Sequence, residues 1–193
     1  MDAPHDPHRG SFDPSLRVAR VLPAQWESHR DLRLDMLAAD PTAFWAVRED
    51  LVGLSEQQWR EDVRGPRHHL QARRGTEVLG GIAVLPGGYT PDHVVPDDQA
   101  QLVSLWVRPA ARGQGVAPVL VRAAAREALR LGRPDLHLEV DDAQTAAIAL
   151  YERLGFRATG ARDPRPATGG HWVEFAARAE DLLADPVMNR AAL

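Results

Sequence analysis

Apolar and polar positions change period several times along the chain, and each change marks an element. Leu16 to Leu22 (LRVARVL) roughly alternates, as a first strand with one buried face would. Pro23 then opens a helical stretch whose apolar side is Trp26, Leu32, Leu34, Met36 and Leu37. The Pro41 region breaks it, and the pair Phe44-Trp45 follows. Ser55, a good N-cap, begins a second short helix reaching Val63. His68 to Arg73 and Glu77 to Leu85 read as two strands joined by Arg74-Gly75-Thr76 in hairpin style. The next segment, Pro86 to Asp98, is rich in Pro, Gly and Asp and has no element of its own; long loops in compact domains are often functional.

The second half is more regular. Gln101 to Val107 (QLVSLWV) is a strand that stops at Pro109. A helix runs from the 112–117 segment to about Leu131, with Pro118 in its first turn, where a missing N–H costs nothing, and Gly132 and Pro134 at its end. Leu136 to Val140 (LHLEV) is a strand, Gln144 to Leu154 a helix ending at Gly155, and strands near Phe156–Thr159 and Trp172–Ala177 finish the core. Strands alternating with helices around one sheet, without internal repeats, predict an α/β or α+β domain with a mixed sheet. Residues 15–180 form that domain. Residues 1–14, rich in Pro, His and Asp, read as a mobile N-terminal tail, and 181–193 as a C-terminal tail.

Composition narrows the function. All 23 basic residues are arginine, and no lysine occurs. Asn, Ile and Tyr, whose codons are also AT-rich, are scarce too, so a GC-rich coding bias accounts for the pattern. A P-loop needs a lysine in its glycine-rich turn and is excluded. With 0 cysteines there is no disulfide, no thiolate metal site and no cysteine nucleophile. The N-terminus has neither a basic nor an apolar leader region, and no run nears the roughly 18 apolar residues of a membrane helix. A cytoplasmic protein without membrane contact is expected. A net charge of -4 argues against general nucleic-acid binding and mildly favours a cationic partner. His5 and His8 lack a third ligand nearby, so no metal is expected.

The most informative stretch is the strand to Val107, the turn Arg112-Gly113-Gln114-Gly115-Val116-Ala117, and the helix beyond. Such a turn presents free backbone N–H groups backed by the positive end of the helix dipole, an arrangement that binds phosphate without lysine. A plain strand-to-helix turn is the alternative. A dinucleotide fingerprint would need Gly or Ala where Pro118 stands. Further on, Ala147, Leu150, Tyr151 and Leu154 recur at i, i+3, i+4 and i+7, which places Tyr151 in a buried stripe. Strand alternation puts His137 and Glu139 on one face, opposite Leu136, Leu138 and Val140. A buried structural tyrosine and a solvated glutamate are the bland readings of these two.

Together the two stretches resemble the GNAT superfamily of N-acetyltransferases. The first motif is R-x-x-G-x-A, here Arg112, Gly115 and Ala117; the second is L-E-V followed by A-I-A-L-Y-E-R-L-G-F, here from Leu138 to Phe156. The resemblance implies a mixed, mostly antiparallel sheet flanked by helices and splayed between the fourth and fifth strands. It implies acetyl-CoA as co-substrate and transfer of acetyl to an amine without an acyl-enzyme. Backbone groups of Leu105, Trp106 and Val107 would pair with the pantetheine arm. N–H groups of Arg112, Gly113, Gln114, Gly115, Val116 and Ala117 would hold the pyrophosphate. Tyr151 matches the family's acid, and Glu139 the base of the ribosomal-protein branch, with His137 and Ser104 in reserve. Gln144 stands where the family usually has Asn beside the CoA arm. The acceptor is expected to be a small-molecule amine bounded by Phe44, Trp45, Glu49, Asp50 and the 86–98 loop. A protein N-terminal amine and a non-catalytic acyl-CoA sensor are the competing readings, and a homodimer is a candidate assembly. The stripe Arg122, Arg126 and Arg130 is expected to be a solvated helix face rather than a site for the CoA 3′-phosphate or RNA.

Overall fold

The central strands are buried in runs because both faces of the sheet are covered, and burial alternates only farther along it. In β5 (Asp135–Asp141), Leu136, Leu138 and Val140 are buried while His137 and Glu139 are half-buried. The computed structural model describes residues 15–90, 92–166 and 169–184. The expected N-terminal tail and residues 185–193 of the expected C-terminal tail lie outside the described residues.

In chain order the elements are β1 (Leu16–Arg20), a 3-10 turn at Pro23–Gln25, α1 (Trp26–Ala39), α2 (Arg48–Val52), α3 (Glu56–Arg64), β2 (His68–Arg74), β3 (Glu77–Leu85) and β4 (Gln99–Val107). They continue with α4 (Val116–Arg130), β5, α5 (Thr145–Arg153), β6 (Arg157–Arg165), β7 (Gly170–Arg178) and α6 (Ala179–Ala184). Ser55 caps α3 as expected: its hydroxyl accepts from the Gln58 N–H, and the Gln58 side chain accepts from the Ser55 N–H at 2.8 Å. α2 was not legible, because its five residues show no apolar period. β6 runs six residues past the expected Thr159 and carries Pro164. It is an edge strand, where a missing donor is tolerated. Leu182 of α6 is buried at 1% exposure in the large core cluster.

The seven strands form one sheet in the order β1-β2-β3-β4-β5-β7-β6, antiparallel except for β4 with β5. This is the expected mixed, mostly antiparallel architecture. Ile82 of β3 joins the large core cluster with Leu120, Val121 and Ala124 of α4. Its neighbour Gly81 faces the other way, and a Cβ there would lie 2.8 Å from the Leu32 side chain of α1. Adjacent strand residues point to opposite faces, so α4 and α1 cover opposite sides of the sheet. Glycine at 81 is what lets α1 approach. A smaller cluster, Leu32, Met36, Leu37 and Trp106, seals that side.

Candidate active site

β4 and β5 pair only at Gln99–Asp135, Ala100–Leu136 and Gln101–His137. Beyond Gln101 no ladder joins them, so the edge of β4 from Leu102 to Val107 faces a gap, as the splayed arrangement requires. On its other edge β4 is bulged. Val103 pairs with Ala83 and Trp106 with Gly81, which leaves Ser104 and Leu105 opposite Ile82 alone. Ser104 takes φ 58, a left-handed conformation costing a residue with a Cβ about 1–2 kcal/mol. Its hydroxyl accepts from Nη1 of Arg33 at 2.9 Å. The Trp106 indole donates to Asp40 at 2.7 Å, and Arg112 donates to the same Asp40 oxygen at 2.8 Å. Asp40, at the C-cap of α1, therefore fastens the end of β4 to the glycine turn. Nothing in its sequence context singled it out.

The turn itself has the backbone of an anion site. Gly113 and Gly115 have φ 75 and 76, and a Cβ at either would meet nothing within 4 Å. Gly115 is the N-cap of α4, and no side chain caps that end. The first N–H groups of a fifteen-residue helix are thus left for a ligand. The Arg112 Nε donates to the Val107 carbonyl at 3.1 Å and the Gln114 amide to the Ala110 carbonyl at 2.8 Å, so these side chains shape the turn from outside. A pyrophosphate fits this open, uncapped end, and the extended edge of β4 suits an amide-bearing arm. Of the expected arginine stripe, Arg122 is buried at 5% exposure, which corrects the solvated reading; Arg130 is bound to Glu127 at 2.7 Å, and Arg126 is exposed.

Glu139 and His137 belong to β5 on one side of the gap, and Tyr89 reaches its closed end through Gln101. Glu139 of β5 is directly opposite Glu174 of β7. Desolvation by burial, then Asp163 and Glu174, raises the Glu139 carboxyl to about 7. Burial also pushes the Tyr151 phenol up to about 12, and no hydrogen bond among the described residues ties its hydroxyl down. Tyr151 meets Phe156 edge-on at 5.9 Å, but the expected buried stripe is only partly covered: Leu154 is buried, while Ala147, Leu150 and Tyr151 are half-buried. Tyr89, from the 86–98 loop, donates to the Gln101 amide oxygen at 3.1 Å. Its own phenol is raised by burial and then by the charges of Glu139 and Glu174. His137, the reserve base, is held between Glu174 at 3.1 Å and Gln99 at 3.0 Å.

The expected acceptor wall is divided by the fold. Phe44 packs against the cluster under α1. Trp45, 64% exposed, stacks on both Tyr89 (5.8 Å) and Trp172 of β7 (5.5 Å). Arg165 lies over Trp172 at 4.3 Å, pairs with Asp141 and donates to the Thr42 carbonyl, which anchors the 42–45 segment beside β7. Glu49 and Asp50 lie in the first turn of α2 and are exposed. Tyr89, Trp172, Glu174 and Asp163 were not identified from sequence; only the length of the 86–98 loop hinted at Tyr89.

A family model for the acetyltransferase (GNAT) family matches residues 23–156, more than half of the chain. The chain belongs to the GNAT family. Its two motifs fall on the uncapped start of α4 and on β5 with α5. Among relatives, N-acetyltransferase 8F1 of Rattus norvegicus is 38% identical over 91 residues, 47% of this chain and 40% of that protein. The chain thus spans well under half of such a relative's length. Solved structures share the fold. A candidate acetyltransferase from Salmonella typhimurium with its cofactor acetyl-CoA superposes with a TM-score of 0.68 at 15% identity, covering 85% of this chain and 94% of that one. The ribosomal-protein-S18-alanine N-acetyltransferase of Escherichia coli superposes at 0.58 with 20% identity and the same coverage. No helix of the described residues is long and apolar enough to cross a membrane.

Proposed function

We propose that this GNAT protein transfers acetyl from acetyl-CoA directly to a primary amine of a small molecule, in the cytoplasm. The observation that carries the reading is the gap between β4 and β5 beyond Gln101, with Glu139 on its β5 side and the uncapped glycine turn beyond the end of β4. Acetyl-CoA, when bound, supplies a thioester already activated toward attack. The backbone N–H groups from Gly113 to Ala117 hold the pyrophosphate, the Arg112 N–H being taken by the Pro109 carbonyl at 3.2 Å. The free edge of β4 at Leu105, Trp106 and Val107 orients the arm, and Gln144 at the start of α5 offers an amide beside it. An ammonium cannot attack, so Glu139 removes its proton; a carboxyl near 7 is partly ionised at neutral pH and basic enough to accept one. Tyr151 keeps its proton throughout this range and carries it at Oη for the departing thiolate. None of these steps calls on a metal.

The stack of Trp45 on Tyr89 and Trp172 favours a compact amine over a polypeptide terminus. It narrows the acceptor side, and its faces, with Glu139 and Glu174 near, suit a cation. The test is an acceptor screen with free-thiol detection across amino acids, polyamines, aminoglycosides and N-terminal peptides. Transfer to a small amine is expected. Transfer to peptides alone would replace the small-molecule reading, and acetyl-CoA binding without transfer to any acceptor would leave a sensor.

A further inference from the structure

Outside the gap, three polar side chains from three elements converge under α1. They are His29 of α1, Asp62 of α3 and His69 of β2, and one ligating atom from each lies within 4.8 Å of the others. His29 and His69 are 3% and 6% exposed, with ring centroids 4.2 Å apart. His29 Nε2 bonds the Asp62 carboxylate at 2.7 Å. His69 Nε2 faces the same oxygen at 3.8 Å, too far for a hydrogen bond, and is buried without a partner. A buried nitrogen left unsatisfied costs about 1–3 kcal/mol and calls for a partner.

We infer that His29, Asp62 and His69 form a structural site for a divalent ion of the zinc and cobalt class, clamping α1 and α3 onto β2. A tetrahedral ion with bonds of about 2.0–2.1 Å holds its ligand atoms roughly 3.3 Å apart. The 2.7 and 3.8 Å separations bracket that value. A small cavity of about 20 Å³ adjoins both histidines, enough for one water as the fourth ligand. Two imidazoles and one carboxylate leave the ion a net positive charge, and Arg33 on the cavity wall adds to it. That set favours a nitrogen-seeking ion; calcium and magnesium require more oxygen donors than are present. The inference is independent of the proposed reaction, whose groups lie at the β4–β5 gap.

The untagged protein, stripped with a chelator, is titrated with Co²⁺ and then Zn²⁺. One equivalent should bind, with the visible bands of low-coordinate cobalt. Zinc should raise Tm by roughly 5–10 °C at a hundredfold excess over Kd, and Ca²⁺ or Mg²⁺ should not. His69→Gln and Asp62→Asn should lose the cobalt bands while their metal-free circular dichroism stays folded. Absence of stoichiometric binding by the wild type overturns the inference. So do cobalt bands that survive in a folded His69→Gln, which would place the ion elsewhere. If the variants do not fold, imidazole ¹⁵N spectra of the wild type decide, since Zn²⁺ must shift the Nε2 resonances of His29 and His69, and unshifted resonances refute the site.

Discussion

Glu139 is held where its charge is costly, and that cost is measurable as stability. In the folded chain its carboxyl titrates near 7 against an ordinary 4.5, chiefly because it is buried. Between those two values the folded state binds the proton and the unfolded state does not. Stability therefore falls as pH rises through this window, and the whole loss is in force above it. The displacement sets a ceiling of about 3 kcal/mol, and solvent screening of a half-buried carboxylate brings this to about 1–2 kcal/mol. Glu139→Gln removes the charge while keeping the shape. It should raise Tm by about 3–6 °C near pH 8.5 and leave it almost unchanged near pH 4.5. Paired thermal melts of wild type and variant at the two pH values read the difference. The same substitution should lower kcat/KM by about 10²–10⁴, and the wild-type rate should climb through about pH 7 to a plateau. An equal Tm change at both pH values, or a loss at the alkaline one, would refute a desolvated carboxylate. A rate profile flat across neutrality would remove Glu139 as the base.

Three further outcomes follow from the same geometry. Tyr151→Phe keeps the edge-on packing with Phe156 and deletes the proton; kcat should fall by about 10²–10⁴ in a free-thiol assay with Tm within about 2 °C of wild type. Gly115→Ala meets open space, so its effect is confined to the backbone at φ 76. A Tm lowered by about 2–8 °C with weaker acetyl-CoA binding by calorimetry is expected, and unchanged affinity would detach the turn from the cofactor. Trp45→Ala removes an exposed ring; it should raise KM for the acceptor several-fold and leave both KM for acetyl-CoA and Tm close to wild type, within about 0.5 kcal/mol of stability.

Much of the fold was legible because its signals are local. Alternation in Leu136–Val140, the capping box at Ser55, and Gly132 after α4 each act within a few residues, where covalent spacing alone brings the interacting groups together. The two family motifs are legible for the same reason: a glycine turn and the helix it feeds are contiguous, as are β5 and α5. β6 was underestimated because its residues are almost all exposed, so no apolar period announces its length. Arg122 was misread because a charge at regular helical spacing does not reveal which turns of that helix the sheet covers.

The sequence by itself determined the class of fold, the order of its elements and the two segments that carry the family chemistry. Tertiary structure alone decided what surrounds Glu139. Burial, first of all, and then Asp163 and Glu174, which come to it from later strands, move its proton affinity to neutrality. It likewise decided that His29, Asp62 and His69 meet. Desolvation and Coulomb forces depend on distance in space, and the chain separates these partners by tens of residues, so no periodicity or spacing could encode them in readable form.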